Sequence, residues 1–76
     1  MNDKKAIGQL GVGETAKLGE MSLNGSACER LHEMGLLSGV PIRLIRRAPL
    51  GCPLEFEVAG ARLAIRERDA ARIFTQ

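Results

Sequence analysis

Aromatic side chains are scarce in this sequence. Its 76 residues include two phenylalanines and neither tryptophan nor tyrosine. The core must therefore be built from aliphatic side chains, and the chain has little with which to stack on nucleic-acid bases. A chain this short buries only about 60% of the surface that its unfolded form exposes, so its stability is marginal. We expect one domain over residues 1–76, with a frayed segment at residues 1–7.

Cysteine and long apolar runs are also scarce. The two cysteines, Cys28 and Cys52, are too few for the disulfide framework of a small secreted domain. No apolar run approaches the roughly 18 to 20 residues of a transmembrane helix, and the polar start lacks the apolar stretch of a signal peptide. We therefore predict a cytoplasmic protein with free thiols and no direct insertion into a membrane.

Neither sign of charge dominates. Eleven lysines and arginines stand against nine acidic residues, for a net charge of +2. Acidic residues are interleaved with the arginines of the second half, which favours a solvated outer face over a phosphate-binding surface and predicts no nucleic-acid partner. These arginines are Arg43, Arg46, Arg47, Arg62, Arg66, Arg68 and Arg72. The single histidine and the lack of a nucleophile beside an oriented base predict that the protein is not an enzyme.

Residues 26–39 carry the pattern of a helix and its end. Ser26 is a candidate N-cap, and Glu29, three residues later, completes a candidate capping box. Apolar residues at helical spacing predict a buried stripe, formed by Ala27, Leu31 and Met34. Gly35 is expected to end the helix, because glycine adopts the left-handed conformation common at that position without steric cost.

Alternating apolar and polar residues predict five short strands, at residues 14–21, 41–48, 54–59, 62–66 and 72–75. Gly19 suggests a bulge in the first strand. A hairpin centred on Gly51 would place Arg47 opposite Glu55. Residues 67–71 have room for one helical turn. We predict a mainly β fold: a small closed or nearly closed barrel of about five strands, with one helix between the first two strands and a short helical turn before the last.

The order of these signals resembles the FeoA family. The resemblance covers residues 10–74 and depends on residues 31–36 with Gly39, residues 42–51 and residues 60–66. It implies an SH3-like β-barrel that serves as a small cytoplasmic accessory protein of bacterial ferrous iron transport. The implied partner is the cytoplasmic G-protein domain of FeoB, the membrane protein of that system. Cys52 departs from the resemblance, since the family usually has aspartate in this Gly-Asp-Pro turn.

Two alternatives concern metal ions and regulation. Cys28 and His32 lie four residues apart on the predicted helix, a spacing that can bring a thiolate and an imidazole to Fe²⁺ or another divalent metal. The simpler interpretation, with no resident metal or cofactor, is that Cys28 packs and His32 is partly solvated. The resemblance also extends to the SH3-like C-terminal domain of metal-responsive DtxR-type repressors. These residues contain no DNA-binding helix-turn-helix, which favours the accessory protein.

Surplus leucines predict a contact surface. Leu36, Leu37 and Leu50 cannot all be buried in so small a core, and a cluster of exposed apolar side chains marks a site of protein contact. We predict that the corner of Leu36 and Leu37 and the turn at residues 50–52 form part of a partner-binding or self-association patch. The exposed thiol of Cys52 would either react there or fill the turn.

Overall fold

Five strands and two α-helices, with two short 3-10 helices at Ile7–Gln9 and Pro49–Gly51, make up the fold in the computed structural model, which describes residues 4–76. The strands are β1 (Thr15–Met21), β2 (Pro41–Arg47), β3 (Leu54–Val58), β4 (Ala61–Ile65) and β5 (Ile73–Thr75). Helix α1 (Gly25–Glu33) joins β1 to β2, and α2 (Glu67–Ala70) precedes β5. The predicted mainly β fold is confirmed, and each strand lies within one residue of its predicted bounds. Within residues 4–76, no helix is long and apolar enough to cross a membrane.

The strands form one antiparallel sheet in the order β4-β3-β2-β1-β5. In the described part of the chain β4 and β5 do not pair with each other, so the predicted barrel is not closed. The reason lies in the connection between them. Helix α2 carries the chain from β4 to the far side of the sheet, where β5 pairs with β1. The outer edge of β4 is thereby left without a strand partner.

The core is aliphatic around one aromatic ring, as the composition predicts. Phe56, in β3, is completely buried. The buried cluster comprises Ile7, Leu10, Leu18, Leu36, Ile42, Leu44, Leu54, Phe56, Val58, Ile65, Ala70 and Ile73. All five strands contribute to this cluster, whereas α1 contributes no fully buried residue. The longer helix therefore lies at the margin of the core, with Ala27 and Leu31 half-buried.

The sequence predicts a frayed segment at residues 1–7, but the structure holds residues 5–7 in place. The amide of Thr75 donates to the carbonyl of Lys5 at 2.9 Å, and the amide of Lys5 donates to the Thr75 hydroxyl at 3.2 Å. Ala6 forms a β-bridge with Phe74, and Ile7 is completely buried. The prediction is wrong for residues 5–7 because the outer edge of β5 supplies them with backbone partners. Residues 1–3 lie outside the described residues.

The first turn of α1 begins earlier than the sequence predicts. Asn24 is the N-cap, and its Oδ1 accepts a hydrogen bond from the amide of Ala27 at 3.1 Å. Ser26 lies inside the first turn, where its hydroxyl donates to the same Oδ1 at 3.4 Å. The predicted cap at Ser26, with its capping box to Glu29, is therefore wrong. The amide side chain of Asn24 already occupies the capping position.

At the end of α1, two apolar residues show the reverse of their predicted burial. Gly35 follows the helix with a φ of +100°, as predicted. The amide of Leu36 then donates to the carbonyl of Leu31 at 3.0 Å. This reversal turns Leu36 inward, where it is completely buried, and leaves Met34 41% exposed. The expectation of a buried Met34 and an exposed Leu36 is therefore wrong, because the helix ends at Glu33 and its spacing does not extend to these two residues.

The hairpin of β2 and β3 is shifted by one residue from its predicted register. A bulge in β2 brings Arg46 opposite Glu55, with Nη1 and Oε2 3.5 Å apart. Arg47, the predicted partner of Glu55, instead donates from Nη2 to the carbonyl oxygens of Gly8 and Leu10, each at 3.0 Å. Arg47 thus fastens the N-terminal segment to the sheet, and the predicted pair of Arg47 with Glu55 is wrong.

Candidate partner-binding surface

The turn that joins β2 to β3, here called the Leu50 turn (residues 48–52), presents an apolar side chain on a strained backbone. The amide of Gly51 donates to the carbonyl of Ala48 at 2.8 Å, with Pro49 and Leu50 between them. Leu50 has φ 72° and ψ 5°, values typical of the third position of a type II turn, where glycine is the usual residue. Its side chain is completely exposed. An unfavourable backbone conformation and an unfavourable exposure therefore coincide at one residue.

The residues of the predicted patch do not lie together. Leu36 is completely buried and offers nothing to a surface partner, so its predicted place in the patch is wrong. Leu37 is 49% exposed but precedes β2, whereas Leu50 follows it. A strand of that length separates the two leucines by about 20 Å. Of the four predicted contact residues, only Leu50 and Cys52 share one turn.

Cys52 connects the Leu50 turn to the second helix. Its Sγ accepts a hydrogen bond from the amide of Glu67, the first residue of α2, at 3.4 Å. The amides of a first helical turn have no partner within the helix, so an acceptor at position 52 satisfies one of them. Sulfur is a weak acceptor and a carboxylate is a strong one. The contact gives a physical reason why aspartate would suit this position, as it does in the family that the sequence resembles.

Replacing Cys52 with aspartate should therefore stabilise the protein. We expect Cys52→Asp to raise the free energy of unfolding at pH 7 by about 0.5 to 1 kcal/mol, because a carboxylate replaces the thiol as acceptor for the Glu67 amide. Cys52→Ala, which removes the acceptor, is the matched control and should lower it by up to about 0.5 kcal/mol. Urea denaturation measures both. An aspartate variant less stable than the alanine variant would contradict this role of position 52.

Cys28 and His32 lie on the same side of α1, as their spacing predicts. Their Sγ and Nε2 atoms are 3.7 Å apart, with Cys28 half-buried and His32 exposed. Within residues 4–76, no group of three histidine, cysteine or acidic side chains is placed to hold a metal ion. A structural zinc site usually has four protein ligands. The pair therefore supplies half of such a ligand set, and both cysteines are free thiols.

A groove of about 670 Å³ lies between α1 and the segment that runs from the end of β4 through α2. We call it the arginine groove, because four arginines line it against a single acidic residue, Asp69. The arginines are Arg30, Arg66, Arg68 and Arg72. Apolar side chains also line it: Leu23, Ala27, Leu31, Met34, Ala64 and Ile65. The groove thus brings basic and apolar side chains together.

Sequence reasoning missed this groove. The sequence predicts a dispersed, solvated exterior for the arginines of the second half, because acidic residues alternate with them along the chain. The fold brings Arg30 of α1 next to the three arginines around α2. Arg30 and Arg66 are 36 positions apart in the sequence, so no local pattern indicates that they meet. One local signal was present: residues 66–72 hold three arginines, Arg66, Arg68 and Arg72.

Comparison with known proteins identifies the family. The model of the FeoA domain matches residues 5–76. The chain superposes on the FeoA protein of Chlorobium tepidum with a TM-score of 0.87 and 28% identity, over 92% of this chain and 68% of that one. For FeoA of Stenotrophomonas maltophilia the TM-score is 0.78 and the identity 26%, over 92% and 87% of the two chains. No curated protein sequence matches the chain at a significant level.

Two details of these neighbours bear on the fold and the site. The Stenotrophomonas maltophilia protein was solved in complex with zinc, as a prokaryotic SH3 domain protein with a proposed role as an activating factor of ferrous iron transport. A manganese-dependent transcriptional repressor has a TM-score of 0.85 at 12% identity, over 95% of this chain and 40% of the repressor, and this likeness shows the fold alone. The predicted SH3-like fold is thus confirmed. The match over residues 5–76 shows that this chain belongs to the FeoA family, which is associated with ferrous iron transport.

Proposed function

We propose that this protein is a cytoplasmic accessory protein of bacterial ferrous iron transport that binds the G-protein domain of FeoB and modulates the transporter without chemistry of its own. Membership of the FeoA family supports the transport system. The observation that supports the contact is Leu50, whose completely exposed side chain is held at a φ of 72°. A strained backbone conformation costs free energy and persists only where the surrounding structure maintains it, and such residues cluster at functional sites.

The Leu50 turn is suited to docking because it is already rigid. Pro49 fixes one backbone angle, the hydrogen bond between Gly51 and Ala48 closes the turn, and Cys52 ties it to α2. A preorganised loop loses little conformational entropy when it binds. Burying a leucine side chain against a partner contributes about 1.5 to 3 kcal/mol. Leu50 is therefore placed to contribute a large share of the binding free energy.

Substitution of Leu50 separates binding from stability. We expect Leu50→Gly to weaken binding to the purified cytoplasmic domain of FeoB by about tenfold or more, since the leucine contact is lost. The same variant should be more stable than the wild type by about 1 kcal/mol, because glycine relieves the strained φ. Isothermal titration calorimetry under reducing conditions, with and without nucleotide, measures the first effect and urea denaturation the second.

Two control variants accompany this titration. Leu50→Met keeps an apolar side chain at the turn and should bind nearly as well as the wild type. Leu37→Ser removes an exposed leucine at the other end of β2 and should leave the affinity unchanged. Unchanged affinity in Leu50→Gly would contradict the role of the turn, and no binding of the wild type under any condition would contradict the partner. Sedimentation of the wild type and of Leu50→Gly shows whether the same turn instead mediates self-association.

A second candidate function is binding of a divalent metal, such as Fe²⁺, as part of a regulatory role. The 3.7 Å separation of Cys28 Sγ and His32 Nε2 favours it, and a zinc complex is known for the related Stenotrophomonas maltophilia protein. The same titration discriminates the two functions. Binding that needs Fe²⁺ and is lost in Cys28→Ala and in His32→Ala would support the metal-dependent function. Binding that persists in both variants would support a metal-independent accessory protein.

A further inference from the structure

We propose that the arginine groove binds an extended acidic segment of a partner protein, and that this segment adds as a further strand to the free edge of β4. The inference goes beyond the proposed function, because it concerns a different surface from the Leu50 turn. It is also tested without FeoB, so that its failure and the failure of the proposed function are distinguishable.

The charge of the groove is unbalanced. Its four arginines are exposed, and they face one acidic side chain of the groove lining, the half-buried Asp69. The ion pairs among residues 4–76 are those of Lys5 with Glu14 and of Arg46 with Glu55, neither of which involves a groove arginine. The guanidinium groups of the groove are therefore available, and each can bind a carboxylate through two parallel hydrogen bonds.

The edge of β4 beside the groove has backbone groups to offer. The two-residue turn at residues 59–60 has positive φ at both positions, so Val58 and Ala61 form the hydrogen-bonded pair that closes the hairpin. Alternation along an antiparallel pair then directs the amides and carbonyls of Arg62 and Ala64 away from β3. None of the backbone hydrogen bonds that the described residues make outside helices and strands involves these two residues. An unpaired edge of this kind is a template for a further strand.

The lining of the groove favours a peptide over a nucleic acid. An extended peptide directs successive side chains to opposite faces, so that acidic residues can reach the arginines while apolar ones contact Leu31 and Met34. Single-stranded nucleic acid depends on aromatic side chains for stacking. The two phenylalanines of the chain lie elsewhere, since Phe56 is buried in the core and Phe74 lies outside the groove lining. The chemistry on this surface therefore suits an acidic segment with alternating apolar residues.

A synthetic peptide tests the charge requirement. The probe is a fluorescein-labelled peptide of three Glu-Val repeats, compared with three Lys-Val repeats and with a short single-stranded DNA by fluorescence anisotropy at low salt. We expect saturable binding of the acidic peptide and none of the basic one. Arg66→Glu combined with Arg72→Glu should weaken it by about tenfold or more. Lys4→Glu combined with Lys17→Glu makes the same change in net charge outside the groove, and should alter the affinity by less than about twofold because distant charges are screened.

Amide hydrogen exchange tests the strand addition in the wild-type protein. Exchange of the Arg62 and Ala64 amides should slow by about tenfold or more when the acidic peptide binds, because they become donors to it. Ala64→Pro removes one of these donors without a change of charge and should weaken binding. Its fold is checked by circular dichroism. If that variant does not fold, the exchange measurement on the wild type still decides the question.

The outcomes that overturn the inference are distinct. Equal binding of the acidic and basic peptides, or no binding of either, would show that the arginines do not select a carboxylate ligand. Equal losses in the two double variants would reduce the effect to net charge. Tighter binding of the single-stranded DNA would replace the peptide with a nucleic acid. Unchanged exchange at Arg62 and Ala64 in the peptide complex would exclude strand addition at β4.

Discussion

Replacement of Leu36 with alanine is expected to lower the free energy of unfolding by about 2 to 5 kcal/mol, the range for deleting a buried leucine side chain. Leu36 is completely buried in the core, and its amide bonds to Leu31 at the end of α1. Small domains have total stabilities of only about 5 to 15 kcal/mol. The variant should therefore be measurably unfolded at low urea concentration in a denaturation curve followed by circular dichroism.

The neighbouring leucine is the matched control. Leu37 is 49% exposed, so Leu37→Ala should change the free energy of unfolding by no more than about 0.5 kcal/mol. The two variants remove the same atoms from adjacent positions, and only burial distinguishes them. Equal losses in both would mean that the reversal at Gly35 does not direct Leu36 into the core. A large loss in Leu36→Ala alone would confirm that Leu36 lies in the core and Leu37 at the surface.

The second large effect is expected at Gly19. A Cβ at this position would lie 3.0 Å from the carbonyl oxygen of Thr75 and 3.1 Å from its carbonyl carbon. These are backbone atoms of β5, which pairs with β1 through an irregular register at this point. They can move only if the two strands separate. We expect Gly19→Ala to lower the free energy of unfolding by about 1 to 3 kcal/mol, the usual cost of inserting a methyl group into a filled site.

Gly25 provides the control for this substitution. A Cβ at Gly25, the first residue of α1, would meet no atom within 4 Å. Gly25→Ala should therefore raise the free energy of unfolding by up to about 1 kcal/mol, because alanine restricts the unfolded chain more than glycine does. Thermal and urea unfolding of both variants measure the contrast. A Gly19→Ala protein as stable as the wild type would contradict the close packing of β1 on β5.

The order of elements could be predicted from local patterns, whereas finer placement could not. Alternation located the strands, and Gly35 located the end of the helix, because both signals are confined to one segment. The register of β2 against β3 could not be predicted, although Leu44 and Ile45 break the alternation at the bulge, because two adjacent apolar residues do not show whether a strand bulges or continues in register. The burial predicted for Met34 and Leu36 is the reverse of that observed, because helical spacing continues in the sequence past the residue where the helix ends.

The candidate sites show the same division. The exposure of Leu50 could be predicted from the size of the chain, because so small a core cannot accommodate every leucine. Its left-handed backbone did not follow, since the sequence offers no glycine at the third position of that turn. The arginine groove could not be predicted from any single segment. It exists only because the fold brings α1 beside α2.

The most direct test of the proposed function is a map of the contact surface by nuclear magnetic resonance. The ¹⁵N-labelled protein would be titrated with the unlabelled cytoplasmic domain of FeoB, and changes in amide signals would be followed residue by residue. The largest changes are predicted at Leu50, Gly51 and Cys52, with the signals around Leu37 unaffected. An unchanged spectrum, or changes confined to residues away from the Leu50 turn, would contradict the proposal that this turn binds the transporter.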